Sequence, residues 1–153
     1  MKKTYLLIAA LCCVFYTEAQ TYEYQVITSV ESIIPSGTGR SRLISTDEAR
    51  NYQDFTSKRT DGKTVKDKRN KSDRSDIRVK NFEETKLLNF YSIAGIRFQN
   101  IAANDAVITS KINTMTQEGW ELAFVSSAVE SDAGKNDGRG IFITRYIFKR
   151  LKE

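Results

Sequence analysis

Carboxylates are the side chains of this sequence that could perform catalysis, because the 153-residue chain contains no histidine and only two cysteines. Those cysteines, Cys12 and Cys13, lie in an N-terminal stretch that we interpret below as a leader. Without them the chain cannot supply a thiol nucleophile, a Ser-His or Cys-His pair, or zinc bound by histidine or cysteine. The sequence therefore excludes these chemistries and leaves acid–base chemistry by carboxyl groups.

Two carboxyl groups at a suitable separation can act as general acid and general base. The candidates are Asp47, Glu48, Glu118 and Glu121, with tyrosine or lysine side chains as partners. Nothing in their spacing pairs any two of them, and we expect Glu118 and Glu121 to face solvent. We therefore predict no catalytic residue and keep a carboxylate-based hydrolase of envelope polymers as an alternative function.

Two glycine-rich stretches have the composition of ion-binding loops. Residues 37–42 combine glycine amides with two arginines, which suits an anion, but the Walker spacing is absent and a plain turn is favoured. Residues 132–140 offer the oxygen donors Asp132, Asn136 and Asp137. A regular calcium loop also needs donors where Gly134 and Ile143 stand, which favours a hairpin loop. We predict no metal and no cofactor.

A strongly basic segment spans residues 58–80, with ten Lys or Arg and four Asp. Its net charge of +6 exceeds the +5 of the whole chain, and its few aliphatic residues cannot bury it. We predict a mobile insertion at about 56–80. It is either a solvated loop or a contact for a polyanion, without the aromatic residues that base stacking needs. The predicted polyanion contacts are Lys58, Arg59, Lys63, Lys66, Lys68, Arg69, Lys71 and Arg74.

The N-terminus has the organisation of a secretory signal peptide. A basic start precedes an apolar run over residues 5–16, and small residues precede a cleavage position after Ala19. The apolar run is short for a membrane span, and no small residue precedes the cysteines as it normally does at a lipidated one. We predict a signal peptide over 1–19, with a retained N-terminal anchor as the alternative. We further predict export to the periplasm or medium without lipidation, no transmembrane helix in the mature chain, and a single domain over 20–153.

A helix-to-strand corner at Gly119 organises the predicted fold. An apolar stripe with a 3.6-residue period predicts a helix over 101–118, capped by Asn100 or Asn104; its members are Ile101, Ile108, Ile112 and Met115. Gly119 suits the residue after the helix, which often takes positive φ. From Trp120 the period becomes two, so Gly119 and Trp120 are the predicted structural anchors. The same period places Trp120, Leu122 and Phe124 on one face.

Alternation predicts further strands. The first, 22–34, places Tyr22, Tyr24, Val26 and Val30 on one face and Glu23, Gln25, Ser29 and Glu31 on the other. A second covers 40–44, and residues 45–48 have the spacing of a capping box, which predicts a short helix. The last strand, 140–150, is apolar on both faces and is therefore expected inside the sheet.

These segments resemble a small bacterial family, the domain of unknown function 4177. Residues 22–27 (YEYQVI) are close to its YEYKVV strand; 112–113 (IN) with 118–122 (EGWEL) are similar to its LN…EGWEL corner, and 146–150 (YIFKR) to its terminal FKR strand. The resemblance implies a strand–helix–strand–strand unit with a three-stranded antiparallel sheet against the helix. It covers about half of the mature chain and is interrupted by an insertion at about 33–98. The family brings no catalytic residues.

Together these features predict an α+β domain, an antiparallel sheet with one main helix on one face. The predicted function is an exported, non-catalytic envelope module that binds a protein or a polyanion, through the insertion or an exposed sheet face. The alternatives are the hydrolase named above and a peripheral membrane protein held by the basic segment. No specific nucleic-acid recognition is expected.

Overall fold

The computed structural model describes residues 20–34, 39–58, 72–130 and 140–152. These ranges form one five-stranded antiparallel sheet, a small hairpin and one long helix, which confirms the predicted α+β class. No helix within them is long and apolar enough to cross a bilayer. The elements are β1 (Tyr22–Ser32), β2 (Ser41–Ser45), a 3-10 helix (Tyr52–Phe55), α1 (Arg74–Ile77), β3 (Glu83–Leu87), β4 (Tyr91–Ser92), β5 (Gly95–Ile96), α2 (Phe98–Gln117), β6 (Glu121–Glu130) and β7 (Ile141–Leu151).

The strand order in the sheet is β3-β2-β1-β7-β6, so β7 lies inside it as predicted. β1 and β7 are paired along their whole length, from Tyr22 opposite Leu151 to Ser32 opposite Ile141. The resemblance implied a sheet of three strands, which correspond to β1, β6 and β7. The insertion adds β2 and β3 on the free side of β1, and this widens the sheet to five strands.

One face of the sheet is covered by α2. Ile108 and Met115 of α2 are buried with Ile27 of β1 and Phe148 of β7, which is fully buried. Leu43 of β2 and Leu87 of β3 complete this core. Burying each such side chain contributes about 1.5–3 kcal/mol, so the cluster is the main apolar source of stability in the described fold.

The corner after α2 is built as predicted. Gly119 has φ of 85°, its N–H donates to the Thr116 carbonyl, and the Trp120 N–H donates to the Met115 carbonyl. These two bonds are those of a Schellman motif, which satisfies carbonyls that the helix end would leave free. Trp120 is partly buried and packs against the core cluster.

Two predicted helix starts were wrong. α2 begins after Arg97, so Asn100 and Asn104 lie inside it rather than at its cap. Asn104 is buried and satisfies strand groups instead, as described below. The capping-box sequence at 45–48 does not start a helix; the Glu48 carboxylate instead accepts the N–H groups of Lys80 and Asn81 across the insertion.

In β1 the more polar face is buried under the helix, and the more apolar face is exposed. Ser29 and Glu31, on its polar face, are buried beneath α2, whereas Tyr24 and Val26, on its apolar face, are 63% and 44% exposed. The alternation itself was predicted correctly. Tertiary contacts determine the face of the sheet against which the helix packs, and here that face contains Ile27.

A β-bulge at Ala123 overturns one predicted face. Leu122 lies opposite Phe148 on the helix side, but Phe124 lies opposite Ile147 on the other side. An extra residue in one strand reverses the alternation beyond it. Phe124 is consequently 61% exposed and does not share a face with Leu122 and the core.

Candidate binding surface

Within the described ranges no helix or second sheet covers the sheet face opposite α2, and this face is largely apolar. Its residues alternate with those of the core, as the strand registers require. We call this surface the open face; away from the strand ends it consists of Tyr24, Val26, Thr28, Val30, Arg42, Ile44, Phe124, Ser126, Ala128, Ile143, Arg145, Ile147 and Lys149. β-branched and aromatic side chains suit strands whether or not the face is covered, so these residues form the strands without a second layer.

Apolar rows cross the open face on either side of a polar row. Val26, Ile147 and Phe124 stand side by side in one row. Val30, Ile143 and Ala128 form another, four residues along the strands. The row between them is Thr28, Arg145 and Ser126. The open face therefore carries apolar rows around Arg145 at its middle, with the cations Arg42 and Lys149 farther out on the same face.

Arg145 differs from the other cations nearby. Arg42 pairs with Glu84, and Lys149 pairs with Glu121 at 3.4 Å. Arg145 is exposed and makes no ion pair or hydrogen bond with another residue of the described ranges. A guanidinium within an apolar surface is a strong anchor for a carboxylate, because it donates two parallel hydrogen bonds.

The covered face holds a buried polar cluster instead. Asn104 Nδ2 donates to Glu31 Oε1 and to the Leu88 carbonyl, each at 2.8 Å, and Asn104 Oδ1 accepts from the Leu88 N–H at 2.8 Å. Burial raises the pKa of the Glu31 carboxyl, the bond from Asn104 opposes this, and Asp105 adds to the rise. Burial also raises the pKa of Tyr146, while its interaction with the Ser29 hydroxyl opposes the rise. That hydroxyl is fully buried and has no hydrogen bond of normal geometry within the described ranges.

An open depression lies at the corner, where two of the four carboxylates considered for catalysis are found. Glu118 and Glu121 line it together with Glu23. Arg150 donates from Nε and Nη2 to Glu23 Oε1 at 2.8 and 2.6 Å and from Nη1 to the Glu118 carbonyl at 3.2 Å. Its guanidinium also stacks on the Trp120 ring at 4.3 Å. The arrangement ties β1 and β7 to the corner, so we assign these contacts a structural role.

The remaining carboxylate candidates are engaged in loop contacts. Asp47 accepts from Gln25 Nε2 at 2.8 Å, and Glu48 pairs with Arg50 at 2.6 Å. The Lys80 N–H, foremost among several donors, holds the pKa of the Glu48 carboxyl below its usual value. Within the described ranges no three acidic side chains come together as a metal site.

The predicted ion-binding and polyanion residues fall largely outside the described ranges. Of the eight polyanion contacts, Lys58 and Arg74 are described, and both are exposed. The others, Arg59, Lys63, Lys66, Lys68, Arg69 and Lys71, lie outside, as do residues 131–139 of the possible calcium loop. In the possible anion turn, Arg42 is taken by Glu84 and the Gly39 carbonyl accepts from Asn89. Polyanion binding stays a prediction.

Sequence reasoning named an exposed sheet face as one possible binding surface, but it did not identify which residues form it and did not single out Arg145. One signal was present: β7 is apolar on both of its faces although it carries an arginine at position 145. No signal marked Phe124, because the bulge at Ala123 that exposes it has no signature in residue type.

No family model matches the chain, and neither does any curated protein or solved structure at a significant level. The resemblance to the domain of unknown function 4177 therefore stays a prediction. The function is argued below from the geometry of this chain alone.

Proposed function

We propose that this chain is an exported, non-catalytic envelope protein that binds a partner protein on its open face. The observation that carries the proposal is the pair of apolar rows around Arg145. Three of their residues are exposed and three are half-buried; the exposed ones are Val26, Phe124 and Ala128. Tyr24 and Phe124 each leave more than half of their surface accessible. The largest contiguous apolar patch on a protein surface is often functional and marks an interaction site.

The residues of the open face suit the anchors of a protein interface. Aromatic side chains and arginine supply most of the binding energy in such interfaces, near their centre. Arg145 occupies that position here, with apolar rows on both sides. We infer a partner with an apolar surface that carries a carboxylate opposite Arg145.

A second copy stacked face to face fits this surface poorly. It would bring a second Arg145 to the same interface, and the carboxylates Glu84 and Glu121 are already paired with Arg42 and Lys149. Burying an uncompensated charge costs several kcal/mol. The open face therefore favours a different protein as its partner.

Crosslinking in the cell tests the proposal. Bacteria expressing the wild-type chain or Arg145→Glu are treated with a crosslinker, and captured proteins are quantified by mass spectrometry. The matched control is Thr109→Glu, which places the same charge on an exposed position of α2. We expect at least one protein to fall tenfold or more with Arg145→Glu and to stay unchanged with Thr109→Glu. Equal capture by all three chains contradicts the proposal.

A further inference from the structure

We propose that two copies of this chain join edge to edge through β6 and form one continuous ten-stranded antiparallel sheet. The inference starts from the two ends of the strand order, β3 and β6, which are the edges of the sheet within the described ranges. It concerns the edge of the sheet, whereas the proposed function concerns the open face, and neither depends on the other.

The two edges differ in how they are protected against pairing. β3 has five residues, of which Glu83, Glu84 and Lys86 are charged. β6 has ten residues, and its only charges are the terminal Glu121 and Glu130. Short strands and charged residues are the usual protection of a free edge, whereas a long uncharged edge presents unpaired N–H and C=O groups to another strand.

The side chains of β6 are exposed on both sides of the sheet. Phe124 is 61% exposed on the open face; Val125 and Val129 are 46% and 59% exposed on the helix side. A strand added at this edge would cover part of all three. Apolar side chains on both faces of a solvent-exposed edge strand are what a neighbouring strand buries.

The sequence of β6 is nearly symmetric about Ser127, which is the reason to choose a second copy as the partner. In an antiparallel pair centred on Ser127, Val125 lies opposite Val129 of the second copy and Ser126 opposite Ala128. Residues 124–130 of each chain are then paired. Directly opposed residues share a face, so the two valine pairs stand on the helix side.

This register also avoids pairing like charges directly. Glu130 falls opposite Phe124 of the second copy, and Ser127 meets its own copy on the two-fold axis. An interface of this kind is isologous, with the same patch used by both subunits. The open faces of both copies would lie on the same side of the joined sheet, which would double the surface available to a partner.

A charge swap at the two-fold axis tests both the dimer and its register. Ser127 is exposed, so Ser127→Lys and Ser127→Glu leave the subunit core untouched. Each variant alone places like charges opposite each other, and a mixture places opposite charges there. The expressed protein is purified under reducing conditions, and its mass is measured by light scattering over a range of concentrations. Thr85→Lys, on the exposed β3 edge, is the matched control.

We expect the wild type and Thr85→Lys to have twice the monomer mass. Each Ser127 variant should raise the dimer dissociation constant tenfold or more, and mixing the two should restore the doubled mass. A wild type that is monomeric at every concentration overturns the proposal. A Ser127→Lys chain that stays dimeric, or a mixture that stays monomeric, overturns it as well.

Discussion

Asn104 Nδ2 lies 2.8 Å from Glu31 Oε1, and this hydrogen bond joins the middle of α2 to the central strand across 73 positions of sequence. The same amide satisfies both backbone groups of Leu88. One buried side chain thus connects the helix, β1 and the chain leaving β3. The arrangement is specific to an amide, because only an amide both donates and accepts in this way.

Replacing Asn104 with alanine should destabilise the fold strongly. The change leaves the Leu88 N–H and C=O and the Glu31 carboxyl without their partner in a buried site, which costs about 1–3 kcal/mol for each group not rescued by water. We expect the free energy of unfolding in urea to fall by about 3 kcal/mol. Asn113→Ala, an exposed position of α2, is the matched control and should change it by less than about 0.5 kcal/mol. Similar losses in both variants would mean that the buried contacts are not formed.

Glu31 should make stability depend on pH. Burial raises the pKa of its carboxyl above the ordinary 4.5, so the folded chain holds this proton to a higher pH than the unfolded chain. The stabilisation from this group is complete below the unfolded pKa and is lost as pH rises through the folded pKa. Glu31→Gln cannot ionise, and its melting temperature should exceed that of wild type at about pH 7. The difference should shrink towards about pH 4. A difference that stays constant across this range would contradict the assignment.

Gly119→Val tests the corner. The space around this position is sufficient, since an added Cβ would lie 3.6 Å from Arg150 Cδ, so the cost comes from the backbone at φ of 85°. A left-handed conformation costs about 1–2 kcal/mol for a residue with a Cβ, and more with β-branching. We expect a matching loss in thermal unfolding, with a smaller loss for Gly119→Asn because asparagine enters this region more easily. Equal stability of the valine variant and wild type would rule out the Schellman corner.

Leu122 and Phe124 form a matched pair that tests the bulge. Strict alternation would bury both, whereas the bulge at Ala123 directs Phe124 to the open face. Leu122→Ser should lower the free energy of unfolding by about 2 kcal/mol, since it removes a side chain packed on the core. Phe124→Ser should change it by less than about 1 kcal/mol. If the phenylalanine variant loses more stability in chemical denaturation, Phe124 is buried and the open face is smaller than described.

The basic segment gives a prediction from charge alone. Exchanging its central cations for glutamine removes six positive charges; these are Arg59, Lys63, Lys66, Lys68, Arg69 and Lys71. We expect the variant to elute from heparin at a clearly lower salt concentration. Each lysine or arginine that contacts a polyanion releases bound counterions from it, so fewer such contacts mean a lower affinity. Unchanged elution would end the polyanion hypothesis. The substitutions avoid Lys80 and Asn81, whose N–H groups bind Glu48.

Local patterns were sufficient to predict several elements. The period change at Gly119 predicted the end of α2 and the start of β6, because a glycine with positive φ stops a helix through local geometry. The two apolar faces of β7 predicted an inside strand, which its pairing with β1 and β6 confirms. Asn104 was misjudged as a cap, since asparagine has the same local signature at a helix start and at a buried amide bridge.

What the sequence by itself determined are the properties that depend on residue type and near neighbours: the absence of histidine chemistry, the position of the basic charge and, where no bulge intervenes, which residues of a strand share a face. Only the tertiary structure decided which face α2 covers. Period-two alternation places Val26 with Val30 and Ser29 with Glu31, but the helix packs where non-local contacts such as Ile108 with Ile27 and Phe148 are formed. That choice leaves the apolar rows around Arg145 open, and a single extra residue at Ala123 adds Phe124 to them.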